Sequence, residues 1–204
     1  MIKSIVFDIG GVILGDLSNP LLEELSRKHR KQFGRLKSKW RLIEYQYRVG
    51  KINEDEFWET FLAATGINES VNNMKKKVRK FFNKQKKGTL DVAKELKKNY
   101  KLAILSNHTK DWIEYAIKKH KLRTIFDPIV ASCYEGCAKP EPKIYEALLK
   151  KLKLKAHECL FIDNREANEV TAESLGFNNI IFKDYEQLVH ELKKLGLEVG
   201  KFGK

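Results

Sequence analysis

Near its start the chain runs Lys3-Ser4-Ile5-Val6-Phe7 into Asp8-Ile9, and Gly10-Gly11 follow at once before Val12-Ile13. A short continuous apolar run, rich in β-branched residues, reads as a strand buried on both faces, the form strands take in parallel sheets. Asp8 then falls at the strand's carboxyl end, where open α/β sheets place their ligand crevice. Two glycines let the backbone turn sharply and come close to a bound group. An aspartate that merely ends a strand before a glycine turn would look the same, so the rest of the chain has to decide.

From Gly88 onward helical patterns alternate with short apolar runs. Helices are expected near 90–98, from Thr109 to about 119, from Glu141 to about Lys153, and between Asp163 and Gly176. The strands between them are Leu102-Ala103-Ile104-Leu105, Ile129-Val130-Ala131, Cys159-Leu160-Phe161-Ile162 and Asn179-Ile180-Ile181-Phe182. A final helix, capped by Asp184 with Gln187 in support, ends at Gly196, and 197–204 is expected to fray. With the first strand these make five, and repeated βα units predict a doubly wound parallel sheet.

Residues 16–87 show no strand pattern. Asn19-Pro20 reads as an N-cap and first-turn proline opening a helix over 20–33, and a second helix covers 36–49 with Trp40, Ile43 and Tyr47, stopping at Gly50. Asn53 opens a third with Glu56 at capping-box spacing, ended by Gly66. A fourth gathers Met74, Val78, Phe81 and Phe82 on one face, with Lys75, Lys76, Lys80, Lys84 and Lys87 largely around the others. The expected organisation is an α/β core of 1–15 and 88–204 with a helical insertion of 16–87.

At 204 residues and 42% hydrophobic, the chain can bury a proper core. No apolar run approaches a membrane span, no signal-peptide pattern precedes the first strand, and three cysteines suit no disulfide framework. A cytoplasmic protein without membrane association is the expectation. The net charge of +13 admits anionic partners. Its lysines read as solvated helix faces, however, so nucleic acid is not the expected partner.

Three strands end on polar residues, at Asp8, at Ser106-Asn107 and at Asp163, and a loop carries Lys139-Pro140-Glu141-Pro142. In a parallel sheet these share one edge. Two carboxylates, a hydroxyl and a lysine suit a phosphoryl group held with Mg²⁺, which takes hard oxygen ligands. Ser106 and the amide after it can bond phosphate oxygens, and Lys139 can neutralise charge on the phosphoryl group and the aspartate.

In these segments the chain resembles the haloacid dehalogenase-like (HAD) superfamily. Phe7-Asp8-Ile9-Gly10-Gly11-Val12 is similar to its first motif and Ser106-Asn107 to its second. Lys139-Pro140-Glu141-Pro142-Lys143-Ile144-Tyr145 is similar to its third, and Phe161-Ile162-Asp163-Asn164, with Asn168 downstream, to its fourth. Gly50-Lys51-Ile52-Asn53 and Glu56-Phe57-Trp58 look like a cap segment of the family. The resemblance implies a Rossmann-like core with a helical cap of 16–87. It implies a phosphatase in which Asp8 attacks phosphorus to form an aspartyl-phosphate that water hydrolyses. It further implies catalytic Ser106 and Lys139, substrate contacts from Gly11, Ser106, Asn107 and Lys139, and magnesium held by Asp8, the Gly10 carbonyl and Asp163.

The chain departs from the family's pattern twice. Gly10 stands where most phosphatases of the superfamily carry the aspartate that protonates the leaving oxygen, and Asn164 stands where a second carboxylate is frequent. A small phosphate ester with a good leaving group is therefore the expected substrate. Alternatives are a phosphotransferase or mutase, a 2-haloacid dehalogenase (disfavoured by the metal-binding Asp163), or a non-catalytic polyanion- or RNA-binding protein. Cys133 and Cys137 read as small apolar fillers, Asp16 as the start of the insertion, and the histidines as surface or helix-end residues. Among these, His108 follows Ser106-Asn107 directly and is the one rival proton donor.

Overall fold

The computed structural model describes residues 1–197. Five parallel strands, β1 (Ser4–Phe7), β2 (Lys101–Ser106), β3 (Ile129–Ala131), β4 (Cys159–Asp163) and β5 (Asn178–Ile181), form one sheet in the order β3-β2-β1-β4-β5. Phe7 lies in register with Ile104 on one side and Ile162 on the other, which is why every residue of β1 is buried. From β1 the chain builds outward through β2 and β3, then returns past β1 to add β4 and β5. The switch point therefore falls between β1 and β4, where a doubly wound sheet opens its crevice. Asp8 leaves β1 there, its N–H donating to Ile162 O at 2.9 Å.

Strand side chains alternate between two apolar layers, as a pleated strand requires. Val6, Ala103, Leu105 and Phe161 pack on one face against Ile144, Tyr145 and Leu148 of α8 (Pro142–Leu152) and Ala172 of α9 (Glu166–Ser174). Ile5, Phe7, Leu102, Ile104, Leu160 and Ile162 face the other way, toward α5 (Thr89–Leu96), α6 (Lys110–His120) and α10 (Tyr185–Lys194).

Between β1 and α5 lie four helices: α1 (Ser18–His29), α2 (Phe33–Arg48), α3 (Glu54–Thr65) and α4 (Val71–Phe81). Their apolar stripes run into the second sheet layer without a break. Trp40 of α2 meets Phe57 of α3 edge-on at 4.9 Å between ring centroids and stacks on Trp112 of α6 at 6.3 Å. Such aromatic pairs add roughly 0.5–1.5 kcal/mol each beyond the area they bury. Among the described residues no helix is long and apolar enough to cross a membrane.

The local signals held unevenly. Asn53 and Glu56 form the expected capping box, Gly66 closes α3 in the left-handed region, and Asp184 caps α10 by accepting from Gln187 N. Asn19 is not a cap, because α1 starts at Ser18 and Pro20 sits inside its first turn, where no helical N–H is yet required. α2 begins at Phe33 rather than near 36, and the four-residue α7 (Ser132–Glu135) was not foreseen. Leu197 is buried and donates its N–H to Leu192 O, contrary to the expected fraying, and the rest of that expectation lies outside the described residues.

Candidate active site

At the carboxyl edge of the sheet four expected residues come together and are buried: Asp8, Ser106, Lys139 and Asp163. Asp8 Oδ1 accepts from Ile9 N at 2.7 Å and from Ser106 Oγ at 2.6 Å. The Lys139 ammonium donates to Asp163 Oδ2 at 2.6 Å and to Leu105 O at 2.8 Å, and it forms an ion pair with Asp8 Oδ1 at 3.1 Å. One cation thus bridges two carboxylates, and the cluster keeps an uncompensated negative charge in a low-dielectric setting.

Neighbouring loops fix this geometry. Asn107 accepts from Lys139 N and donates to Lys139 O, both at 2.7 Å, so its side chain fixes the lysine's backbone. Asp163 accepts from Arg165 N at Oδ1, and its Oδ2 also takes the Asn168 amide at 2.9 Å. Gly11 adopts φ +85°, a backbone conformation that favours glycine, and a Cβ there would meet the exposed Asn164 side chain at 2.2 Å and make it turn aside. The Gly11 N–H is taken by Leu14 O, which leaves close approach as its contribution. Among the described residues, neither the Gly10 carbonyl nor the Asn107 N–H makes a hydrogen bond.

The donor set fits a hard dication. Asp8 and Asp163 supply anionic oxygens with lone pairs to spare, Gly10 offers a carbonyl, and their charge exceeds what Lys139 neutralises.

Above this floor the pocket is walled by Trp40, Tyr47, Phe57, Phe82 and Trp112, with Asp16, Glu44, Arg48 and Arg165 toward one side. His108 belongs to the wall and is buried, which corrects its reading as a surface residue: the ring of Phe82 covers it, with centroids 5.3 Å apart. Burial, with the Arg48 and Lys139 charges adding to it, holds His108 down to about 3, which disfavours the acidic imidazolium form near pH 7. Burial also pushes the Cys133 and Cys159 thiols up to about 12, in keeping with inert fillers. The sequence reading missed Arg48, Glu44 and Trp112 as wall residues. Its one usable signal was that Trp40, Glu44 and Arg48 recur every four residues on one face of α2.

A sequence-family profile described as haloacid dehalogenase-like hydrolase matches residues 2–176. The D-ribitol-5-phosphate phosphatase of Bacteroides thetaiotaomicron is 28% identical over 190 residues, covering 87% of this chain and 90% of that one. The bifunctional epoxide hydrolase 2 of Sus scrofa is 30% identical over 106 residues, which are 48% of this chain but only 19% of that protein's length. The crystal structure of the HAD family enzyme BT-2542 from Bacteroides thetaiotaomicron, in complex with magnesium and inorganic phosphate, superposes with a TM-score of 0.78. Its sequence is 25% identical, and the match covers 94% of this chain and 99% of that one.

Proposed function

The chain belongs to the haloacid dehalogenase-like hydrolases, and within that family we propose that it is a Mg²⁺-dependent phosphomonoesterase acting on a small phosphorylated metabolite. The observation that carries this reading is the buried Asp8–Ser106–Lys139–Asp163 cluster at the switch point of the sheet. The likeness to a polyol phosphate phosphatase and to an enzyme crystallised with magnesium and phosphate supports it.

In this reading residues 16–87 act as a cap over the core. Asp8 is the nucleophile. Its Oδ1 is held by Ile9 N, Ser106 and Lys139, which orients the carboxylate and leaves lone pairs on the other oxygen to attack phosphorus. The new bond to Asp8 forms as the ester P–O bond breaks, giving an aspartyl-phosphate and an alkoxide. Water then attacks phosphorus, releasing inorganic phosphate and restoring Asp8. The free Asn107 N–H would hold a phosphoryl oxygen, Ser106 Oγ would join it once its proton turns from Asp8 to the substrate, and Lys139 would offset negative charge on both partners. Asp8, Asp163 and the Gly10 carbonyl would hold Mg²⁺, which supplies charge shielding so that one anion can approach another.

Gly10 brings no proton to the leaving oxygen, and neutral His108 does not replace it. Substrates whose leaving group tolerates negative charge are therefore favoured. The test is a panel of phosphate monoesters assayed with Mg²⁺ and with EDTA, for wild type and Asp8→Asn. Turnover that needs Mg²⁺ and vanishes in Asp8→Asn supports the reading. Wild-type rates in Asp8→Asn would remove the nucleophile. Transfer of phosphate to an added alcohol in place of water would make the protein a phosphotransferase.

A further inference from the structure

Beside the pocket over Asp8 lies a second cleft, and the two share Asp16, Ser18, Trp40, Glu44, Arg48 and Arg165 in their walls. The second adds Lys37 and Arg41, so four cationic side chains face it against two carboxylates. Those carboxylates are already engaged. Glu44 Oε2 pairs with the Arg48 guanidinium at 2.9 Å and accepts from Trp40 Nε1 at 2.5 Å, while Asp16 Oδ1 accepts from Leu17 N at 2.8 Å. Lys37, Arg41 and Arg165 make no ion pair among the described residues.

With a net charge of +13, unpaired surface cations are ordinary in this chain. Convergence is what sets these apart. Lys37, Arg41 and Arg48 project from one face of α2 at spacings of four and seven, and Arg165 comes from the loop whose N–H holds Asp163. Burial pulls the Arg48 guanidinium below the usual arginine range, Glu44 opposes that, and the like charge of Arg165 adds to it. Lys37 and the exposed Arg41 and Arg165 thus reach one cleft from two elements without a carboxylate partner, Arg48 alone being paired, and an entering anion would relieve their mutual repulsion.

We propose that this cleft is an anion subsite, and that the natural substrate carries a second anionic group, a carboxylate or another phosphate, on its leaving-alcohol portion. The inference rests on the phosphatase reading for the position of the first phosphate. Arg41 and Arg165, as guanidiniums, suit planar two-point binding of either oxyanion.

The experiment measures binding by calorimetry, in the Asp8→Asn background with Mg²⁺, of three ligands of equal chain length: a polyol monophosphate, the corresponding phospho-aldonate, and the bisphosphate. At least one dianchored ligand should bind about tenfold or more tightly than the monophosphate, since hydrogen bonds between charged groups reach that size. Which of the two does so separates carboxylate from phosphate. In Arg41→Gln/Arg165→Gln, with folding verified by thermal melting, the preference should fall to about twofold, and Arg41→Lys alone should keep part of it. Equal binding of all three ligands, or a preference that survives the double substitution, would overturn the subsite. The same ligand ratios in kcat/KM for the chain with Asp8 intact keep the two readings apart. An anion preference in binding without turnover of any ester would sink the hydrolase and spare the subsite, and turnover without preference would do the reverse.

Discussion

Lys139 carries a heavy electrostatic demand, because its ammonium bridges two buried carboxylates. Lys139→Met should abolish turnover. It should also lower stability in EDTA by about 3–5 kcal/mol, the usual cost of removing one partner from a buried pair, and Mg²⁺ should restore part of that. Urea titrations with and without the metal check it. At Gly10 the missing acid has a kinetic signature, since general acid help contributes roughly 10²–10⁴-fold. Rates over leaving groups of rising basicity should fall steeply, should fall equally steeply in His108→Ala, and should flatten in Gly10→Asp. A flat wild-type series that steepens only in His108→Ala would instead make His108 the acid. His108 also has a stability role whose sign is fixed. Its value in the fold, about 3, lies below the ordinary 6.5, so the unfolded chain binds the extra proton. The stability due to neutral His108 is complete above about pH 6.5 and drains away as pH falls toward 3. Melting curves for wild type and His108→Phe over that window should show the shallower acid slope in the variant.

Among the elements, the strands were legible and some of the joints were not. Five apolar runs announced the sheet, and the polar residues that end three of them announced the cluster around Asp8, because a parallel sheet brings strand ends to one edge by geometry alone. The burial of His108 could not be read locally. It depends on Phe82, 26 positions earlier in the chain, closing over the imidazole from beyond the end of α4. The start of α1 escaped for a different reason: Asn19-Pro20 is a good opening signal, but so is any proline within the first turn. Nor did the sequence disclose that Glu54, the first residue of α3, is buried, with both Arg79 guanidinium nitrogens on its carboxylate at 2.8 and 2.7 Å and Trp112 Nε1 at 2.7 Å. This contact fastens α3 and α4 to α6. Arg79→Met should cost about 1–3 kcal/mol by leaving that carboxylate short of donors. Adding Glu54→Leu should recover part of the loss, because replacing a buried pair by apolar groups is far milder than breaking it. Chemical denaturation of the two variants tests the linkage, and a double variant no more stable than Arg79→Met would count against it.

For the molecule as a whole, one apolar layer joins the four inserted helices to the sheet, and the pocket lies where they meet above Asp8. The aromatic wall and the basic cleft come largely from the inserted helices, while the Asp8 cluster comes from strand ends. Under the proposed function, chemistry and selectivity are thus carried by different parts of the chain. The account turns on Asp8 becoming phosphorylated. Gly10 has no side chain that could take a proton from the attacking water either, so breakdown of the aspartyl-phosphate would be slow, and where a good leaving group makes its formation fast the intermediate should accumulate. The direct measurement is rapid acid quench during turnover of an aryl or acyl phosphate with Mg²⁺, followed by peptide mass spectrometry. One phosphoryl group should appear on the peptide bearing Asp8, at Asp8, formed faster than phosphate is released, lost at the rate of that release, and absent in Asp8→Asn. Phosphate released at the full rate while Asp8 stays unmodified, or a phosphoryl group found on another residue, would contradict it.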